Sequence, residues 1–157
     1  MLHKVVQLGG KSYFWLEKTN VVSMIQEYQV SGFRVREYEE LGSTNTETER
    51  VGWNELEDKM VILTYRQTQG RGQVGNHWES EPGKNISMTV VFKPRELPAG
   101  QQFAVSMVIA LGACDFISRY VSGCSVKWPN DIYVGDRKIS GILIEHSIMG
   151  RYVGGSL

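Results

Sequence analysis

Two apolar, β-prone runs, Met60-Val61-Ile62-Leu63-Thr64-Tyr65 and Ile86-Ser87-Met88-Thr89-Val90-Val91-Phe92, bracket a segment with almost nothing to place in a core. That segment runs from Gln67 to Trp78 and holds Gly70, Arg71, Gly72, Gln73 and Gly75. Runs of this length and composition are strands, the first of them buried. Glu79 to Gly83 reads as a turn into the second, which Pro94 stops. The glycine segment is therefore a loop held between sheet elements. Its Gly70-x-Gly72-x-x-Gly75 spacing matches the dinucleotide fingerprint, but that fingerprint needs a helix to begin among the glycines. Here a turn and a strand follow instead. What remains is a loop whose backbone N–H groups can face an anion, with Arg71 to neutralise it. Trp78 adds a flat apolar face for a base.

A second cluster of polar groups lies downstream. Ser125 to Trp128 reads as a short strand entering Pro129-Asn130-Asp131. Ile132 to Val134 and Ile139 to Glu145 then bracket Gly135-Asp136, a hairpin signal, with Lys138 at the start of the second arm. Gly141 interrupts that arm, and glycine in a strand often lets a ligand approach the backbone. An arginine, Lys127, Lys138, Asp131 and Trp78 around one cleft suit a nucleotide phosphate and a carboxylate brought together. Asp131 suits Mg²⁺, which takes carboxylate, water and phosphate oxygens. Each residue alone is an ordinary solvated charge; the combination points to a site.

Elsewhere the pattern is plainer. Lys11 to Leu16 reads as a strand, Ser23-Met24-Ile25-Gln26 as a capping box opening a short helix, and Phe33 to Arg36 as a strand. Ser43 and Thr44 are good N-cap residues, and Thr44-x-x-Glu47 is a capping box for a helix from Asn45 to about Trp53. That start is either only a helix start or a set of hydroxyls offered to a polar ligand. Gln101 to Tyr120 is the clearest helix, with Phe103, Met107, Ala110, Leu111, Cys114 and Ile117 on one apolar face that reads as core. Ile148 to Leu157 shows no evident element.

The bounds set by composition are broad. The chain has 157 residues, which suits one domain, and its 17 basic and 17 acidic side chains balance. No long-range field for nucleic acid is expected. Residues 1–40 are too short and too neutral for a winged helix-turn-helix. The two cysteines, Cys114 and Cys124, read as reduced, unpaired thiols of a cytoplasmic protein without a signal peptide. No apolar run approaches the roughly 18 residues of a membrane span. Metal-ligand spacing, a P-loop and a Gly-x-Ser-x-Gly elbow are all missing.

Gly70-Arg71-Gly72 running to Trp78, then Lys127-Trp128-Pro129-Asn130-Asp131, then Gly141-Ile142-Leu143-Ile144-Glu145, resemble the three signatures of biotin–protein ligases. Ser43-Thr44-Asn45 resembles the family's upstream triplet. The lipoate and octanoyl ligases share the superfamily fold but lack the Trp-Pro pair. The resemblance implies an α/β (α+β) domain, a mixed β-sheet with helices packed on one side, over residues 41–157. Residues 1–40 would be an extension of it. It further implies that biotin and MgATP give biotinyl-5′-AMP, which a lysine of a carboxylase biotin carrier domain then attacks. By position, Ser43, Thr44, Asn45, Gln67, Gly141 and Leu143 would line the biotin pocket. Arg71, Gly72, Gln73 and Lys138 would meet its carboxylate. Gly70, Arg71, Gly72, Gln73, Trp78, Lys127, Asn130, Asp131 and Lys138 would serve the nucleotide, with Arg71 and Lys138 catalytic and Asp131 toward the metal. The resemblance is compatible with a homodimer. A truncated relative that binds biotin or ATP without turnover is the alternative.

The chain departs from that family in two places. Gln73 stands where the family usually has arginine. The last residues, Arg151 to Leu157, do not resemble the family's continuation, so the chain reads as a truncated ligase.

Overall fold

The computed structural model describes residues 4–8, 11–15, 24–94, 97–149 and 152–156. The chain divides into two compact units, Met1–Lys93 and Pro94–Leu157.

The first unit begins with the hairpin β1 (Lys4–Leu8) and β2 (Lys11–Trp15). β3 (Met24–Val30) and β4 (Phe33–Tyr38) form a second hairpin through Ser31-Gly32. The capping-box helix expected from Ser23 is thus a strand over its described part. Tyr28 and Val30 favour extended backbone, and pairing with β4 satisfies six residues of the segment, which a single turn of helix could not. After β4 come α1 (Thr44–Val51) and β5 (Met60–Thr64), which pairs parallel to β4. Parallel neighbours need a crossover, and α1 supplies it. A short hairpin of β6 (Gly70–Arg71) and β7 (His77–Trp78) follows, then β8 (Ser87–Val90), antiparallel to β5. The sheet order β3-β4-β5-β8 is mixed.

All five residues of β5 are buried, which is why the run lacks polar alternation. Val61 and Leu63 face one side with Val35, Phe33 and Val90. The other side carries Met60, Ile62 and Thr64, all fully buried. Thr89 stands opposite Ile62 on that side and hydrogen-bonds residues of α1, so α1 covers it.

The second unit holds α2 (Gln102–Ser118), then a three-stranded antiparallel sheet of β9 (Cys124–Lys127), β10 (Asp131–Val134) and β11 (Arg137–Gly141), in the order β11-β10-β9. α2 packs against β9 and β10. A hairpin of β12 (His146–Met149) and β13 (Tyr152–Ser156) closes the described chain.

Four expectations are corrected here. The strand expected to Glu145 ends at Gly141, and residues 142–145 are irregular: at the next ladder position Ile142 N–H still donates to Asn130 O, but Ile142 O accepts from the Asn130 side-chain Nδ2. The glycine-rich tail expected to lack structure forms β12 and β13. The apolar face of α2 is not core: Phe103, Met107 and Leu111 are exposed, and only Ala110 is buried. Val105, Val108 and Ile109 are apolar too, so spacing alone could not say which face is covered. Finally, Ala99–Ser118 is long and apolar enough to cross a membrane by length and composition, since Ser106 and Asp115 interrupt the run without making it polar.

Candidate active site

In the first unit the parallel pairing of β4 and β5 brings the segments that follow them to one end of the sheet. Leu41 N–H donates to Arg66 O at 3.0 Å, Thr68 N–H to Leu41 O at 2.9 Å, and Gln69 N–H to Gly42 O at 2.6 Å. Ligands collect at the carboxyl ends of strands in sheets of this kind. Ser43 is the N-cap of α1 by position, but its hydroxyl makes no capping bond. The box read at Thr44 and Glu47 does not form. Glu47 instead lies buried, with its two oxygens accepting from Arg50 at 2.7 and 2.8 Å. Burial, with the Glu47 carboxylate beside it, pushes the Tyr38 hydroxyl above its usual range.

Thr44 is buried and joins a polar network. Its N–H donates to Gln67 Oε1 at 2.9 Å, and the Thr89 hydroxyl lies 2.8 Å from the Thr44 hydroxyl. Thr89 also donates to Asn45 Oδ1 at 2.6 Å. The structure thus brings Thr44, Asn45 and Gln67 together, with Ser43 beside them. Thr89 was missed in the sequence because it reads as one more β-branched strand residue. Its alternation with exposed Met88 was the available signal.

The glycine segment is its own hairpin, with a 3-10 turn over Gln73–Gly75 and no helix, so the dinucleotide reading is excluded. Gly70 is buried, and a Cβ there would run into the Trp78 carbonyl oxygen and lie 2.6 Å from Gln67 Nε2. Gly72 N–H donates to Asn76 O at 2.7 Å, so this backbone donor serves the hairpin and not an anion, contrary to expectation. Arg71 is exposed and pairs with Glu49 Oε1 at 2.8 Å. Surface pairs of this kind contribute about 0.2–1 kcal/mol, so an anionic ligand can take the place of Glu49. Gln73 is exposed and Trp78 half-buried.

In the second unit Lys127 and Asp131 are register partners, as are Asp131 and Gly141. Lys138 Nζ lies 2.7 Å from Asp131 Oδ1, a buried oxygen with no directed hydrogen bond. Asn130 bonds Ile142 twice: its carbonyl accepts from Ile142 N–H at 2.9 Å and its Nδ2 donates to Ile142 O at 3.1 Å. It therefore ties the Trp128-Pro129 turn, whose peptide bond is cis, to the segment carrying Leu143. Trp128 packs edge-on against Phe103 of α2, with centroids 4.9 Å apart. Lys127 Nζ lies 5.5 Å from the Tyr133 ring centre. Among the described residues no group of three or more His, Cys, Asp or Glu could hold a metal. A single carboxylate already paired with an ammonium fits a Mg²⁺ brought in on a triphosphate, not a resident ion.

Residues 38–157 match the biotin/lipoate A/B protein ligase family. The chain belongs to that family. It is 31% identical over 144 residues to the bifunctional ligase/repressor BirA of Escherichia coli, covering 90% of this chain and 44% of that protein. It thus spans about half the length of the curated relatives it matches, or less. The biotin acetyl coenzyme A carboxylase synthetase of Helicobacter pylori, solved with biotinylated ATP bound, superposes with a TM-score of 0.58 at 30% identity, covering 78% of this chain and 58% of that one. The biotin protein ligase of Aquifex aeolicus, solved with biotin and ATP, gives 0.58 at 25% identity, covering 78% and 50%.

Proposed function

We propose that this chain activates biotin with ATP and transfers it to a lysine of a carboxylase biotin carrier domain. The observation that carries this reading is the network of buried Thr44 and Thr89 with half-buried Gln67 and Asn45, beside the ends of two parallel strands. A neutral cyclic urea has two N–H donors and one carbonyl acceptor, and burying it unpaired costs about 1–3 kcal/mol per group. Hydroxyls and side-chain amides meet that need in either hydrogen-bonding sense. Gly141 and Leu143 are assigned to the same ligand by position.

The first step joins two anions. The biotin carboxylate attacks the α-phosphorus of ATP, the bond to the β-phosphate oxygen breaks, and pyrophosphate leaves. No protein nucleophile is required. Positioning and positive charge near the phosphorus are required, and Arg71, Lys127 and Lys138 are assigned to them. Magnesium would arrive with the nucleotide and neutralise phosphate charge, with Asp131 toward it. In the second step a neutral acceptor amine attacks the acyl carbon of the mixed anhydride, and AMP leaves. The reading keeps the protein in the cytoplasm, without nucleic acid, and leaves room for a homodimer.

Pyrophosphate release that requires biotin is the decisive measurement. Biotin binding by calorimetry without any pyrophosphate would leave a binder and remove the enzyme.

Gln73 gives a second test. It is exposed at the start of the 3-10 turn, and only its carbonyl serves the hairpin, accepting from Asn76 N–H at 3.1 Å. An arginine fits there without repacking. A charge-assisted bond to the adenylate contributes about 1.5–3 kcal/mol, so Gln73→Arg should slow escape of biotinyl-AMP by about 10- to 100-fold. Equal release from variant and parent would sink the assignment.

A further inference from the structure

We propose that Cys114 and Cys124 form an oxidisable dithiol that closes reversibly into an internal disulfide, joining α2 to the first strand of the second unit's sheet. Nothing in their spacing pairs them. They are ten residues apart, one inside a helix and one opening a strand, and no short Cys motif contains them. The fold nevertheless sets their sulfurs 3.0 Å apart, with both thiols free. A disulfide bond is about 2.05 Å long, so closure needs a shift of only about 1 Å.

The approach is built by the backbone and does not depend on two side chains meeting by chance. α2 ends in a tightened turn, where Arg119 N–H donates to Phe116 O at 3.2 Å and Tyr120 N–H to Ile117 O at 2.9 Å. Gly123 then adopts φ +78°, a left-handed conformation that returns the chain along the helix. Its carbonyl accepts from Gly135 N–H at 3.1 Å, fixing Cys124 at the edge of the β9–β10 pairing. Cys124 is in register with Val134. Both cysteines are half-buried, so a small reagent can reach them.

The chemistry is thiol–disulfide exchange with a small-molecule disulfide as oxidant. One cysteine thiolate attacks a sulfur of that disulfide, forming a mixed disulfide and expelling one small thiolate. The second cysteine thiolate attacks the protein sulfur of the mixed disulfide and expels the other. Two electrons pass from the cysteine pair to the oxidant, and the two thiol protons end on the two released thiols or in solvent. The neighbouring Cys124 sulfur, and then burial, raise the Cys114 thiol above its usual range, so exchange through it accelerates as pH rises. In a reducing compartment the pair stays open, and it closes when the thiol pool is oxidised. Closure ties α2 to the strand that leads into Lys127 and Asp131. The inference stands independently of the proposed reaction.

The test uses the full chain in buffers of increasing oxidised-to-reduced glutathione ratio. Remaining thiols are capped with maleimide and the intact mass is read without reductant. A monomer that loses both capping sites together, is lighter than the reduced form by two hydrogens, and reverts with dithiothreitol is the expected result. The closed form should melt at least about 5 °C above the reduced form. Cys114→Ala and Cys124→Ala should each lack that oxidant-dependent shift and carry a single thiol or one glutathione adduct. Glutathione adducts or disulfide-linked dimers as the only oxidised forms of the parent chain would overturn the proposal, as would a closed form that melts no higher. The parent measurement decides the matter even if a variant fails to fold.

Discussion

Lys138→Ala should lower biotin-dependent pyrophosphate release by at least about 100-fold, the size of effect seen when a charge-stabilising donor is removed from a reacting centre. Lys138 sits on β11 opposite Tyr133, one step past the irregularity in register between Ile132 and Tyr133. Its ammonium faces Asp131 Oδ1 across the hairpin. Two effects must be separated, because the substitution removes a charge and also takes that counter-charge from a largely buried carboxylate. The second effect weakens the fold and displaces Asp131. Lys138→Ala combined with Asp131→Asn removes both charges and keeps the hairpin neutral. If Lys138 acts on the reacting phosphate, the double variant recovers melting temperature and remains inactive. Recovery of turnover in the double variant, or retained activity in the single one, would contradict the role.

Much of this site could be read from residue types, and what could not has a physical explanation. Strands β5, β8, β9 and β10 and the Gly135-Asp136 turn followed from apolar runs and turn chemistry, which are local. The meeting of Thr44 with Gln67 did not, since it depends on β4 and β5 being parallel and so on a pairing 26 residues apart in sequence. Thr89 was missed because it reads as one more β-branched strand residue, with only its alternation against exposed Met88 to mark it. Glu47 was read as half of a capping box, yet it is buried against Arg50, and Glu49, which carried no reading, holds Arg71. The Glu49–Arg71 pair crosses elements and so leaves no trace in spacing, whereas Glu47 and Arg50 stand three apart on α1 and only the burial of Glu47 was hidden. The cysteine pair was hidden by the return turn at Gly123. α2 was found in full, but a helix apolar on most of its circumference does not announce its buried face.

Gly70→Ala should destabilise the first unit by about 1–3 kcal/mol through overpacking and should weaken biotin binding by more than about tenfold. The added methyl meets the Trp78 carbonyl oxygen and lies 3.1 Å from Trp78 Cβ, both on the strand paired with Gly70, so the backbone on that side cannot yield without opening β6 from β7. The remaining neighbour, Gln67 Nε2, belongs to a side chain whose Oε1 accepts from Thr44 N–H. Relieving the clash from that side draws Gln67 away from Thr44 and leaves a buried N–H unpaired, which costs a further 1–3 kcal/mol or so. Either route damages the network assigned to the ureido group. Gly75→Ala is the matched control. Unlike Gly70, Gly75 has a positive φ, at +76°, but a Cβ there meets nothing within 4 Å, so only backbone strain opposes it. Gly75→Ala should therefore lower the melting temperature modestly and leave biotin affinity close to that of the parent. If the two alanine variants bind biotin equally well in calorimetry, the packing of Gly70 against Gln67 does not shape the pocket, and the ureido assignment of Gln67 fails with it.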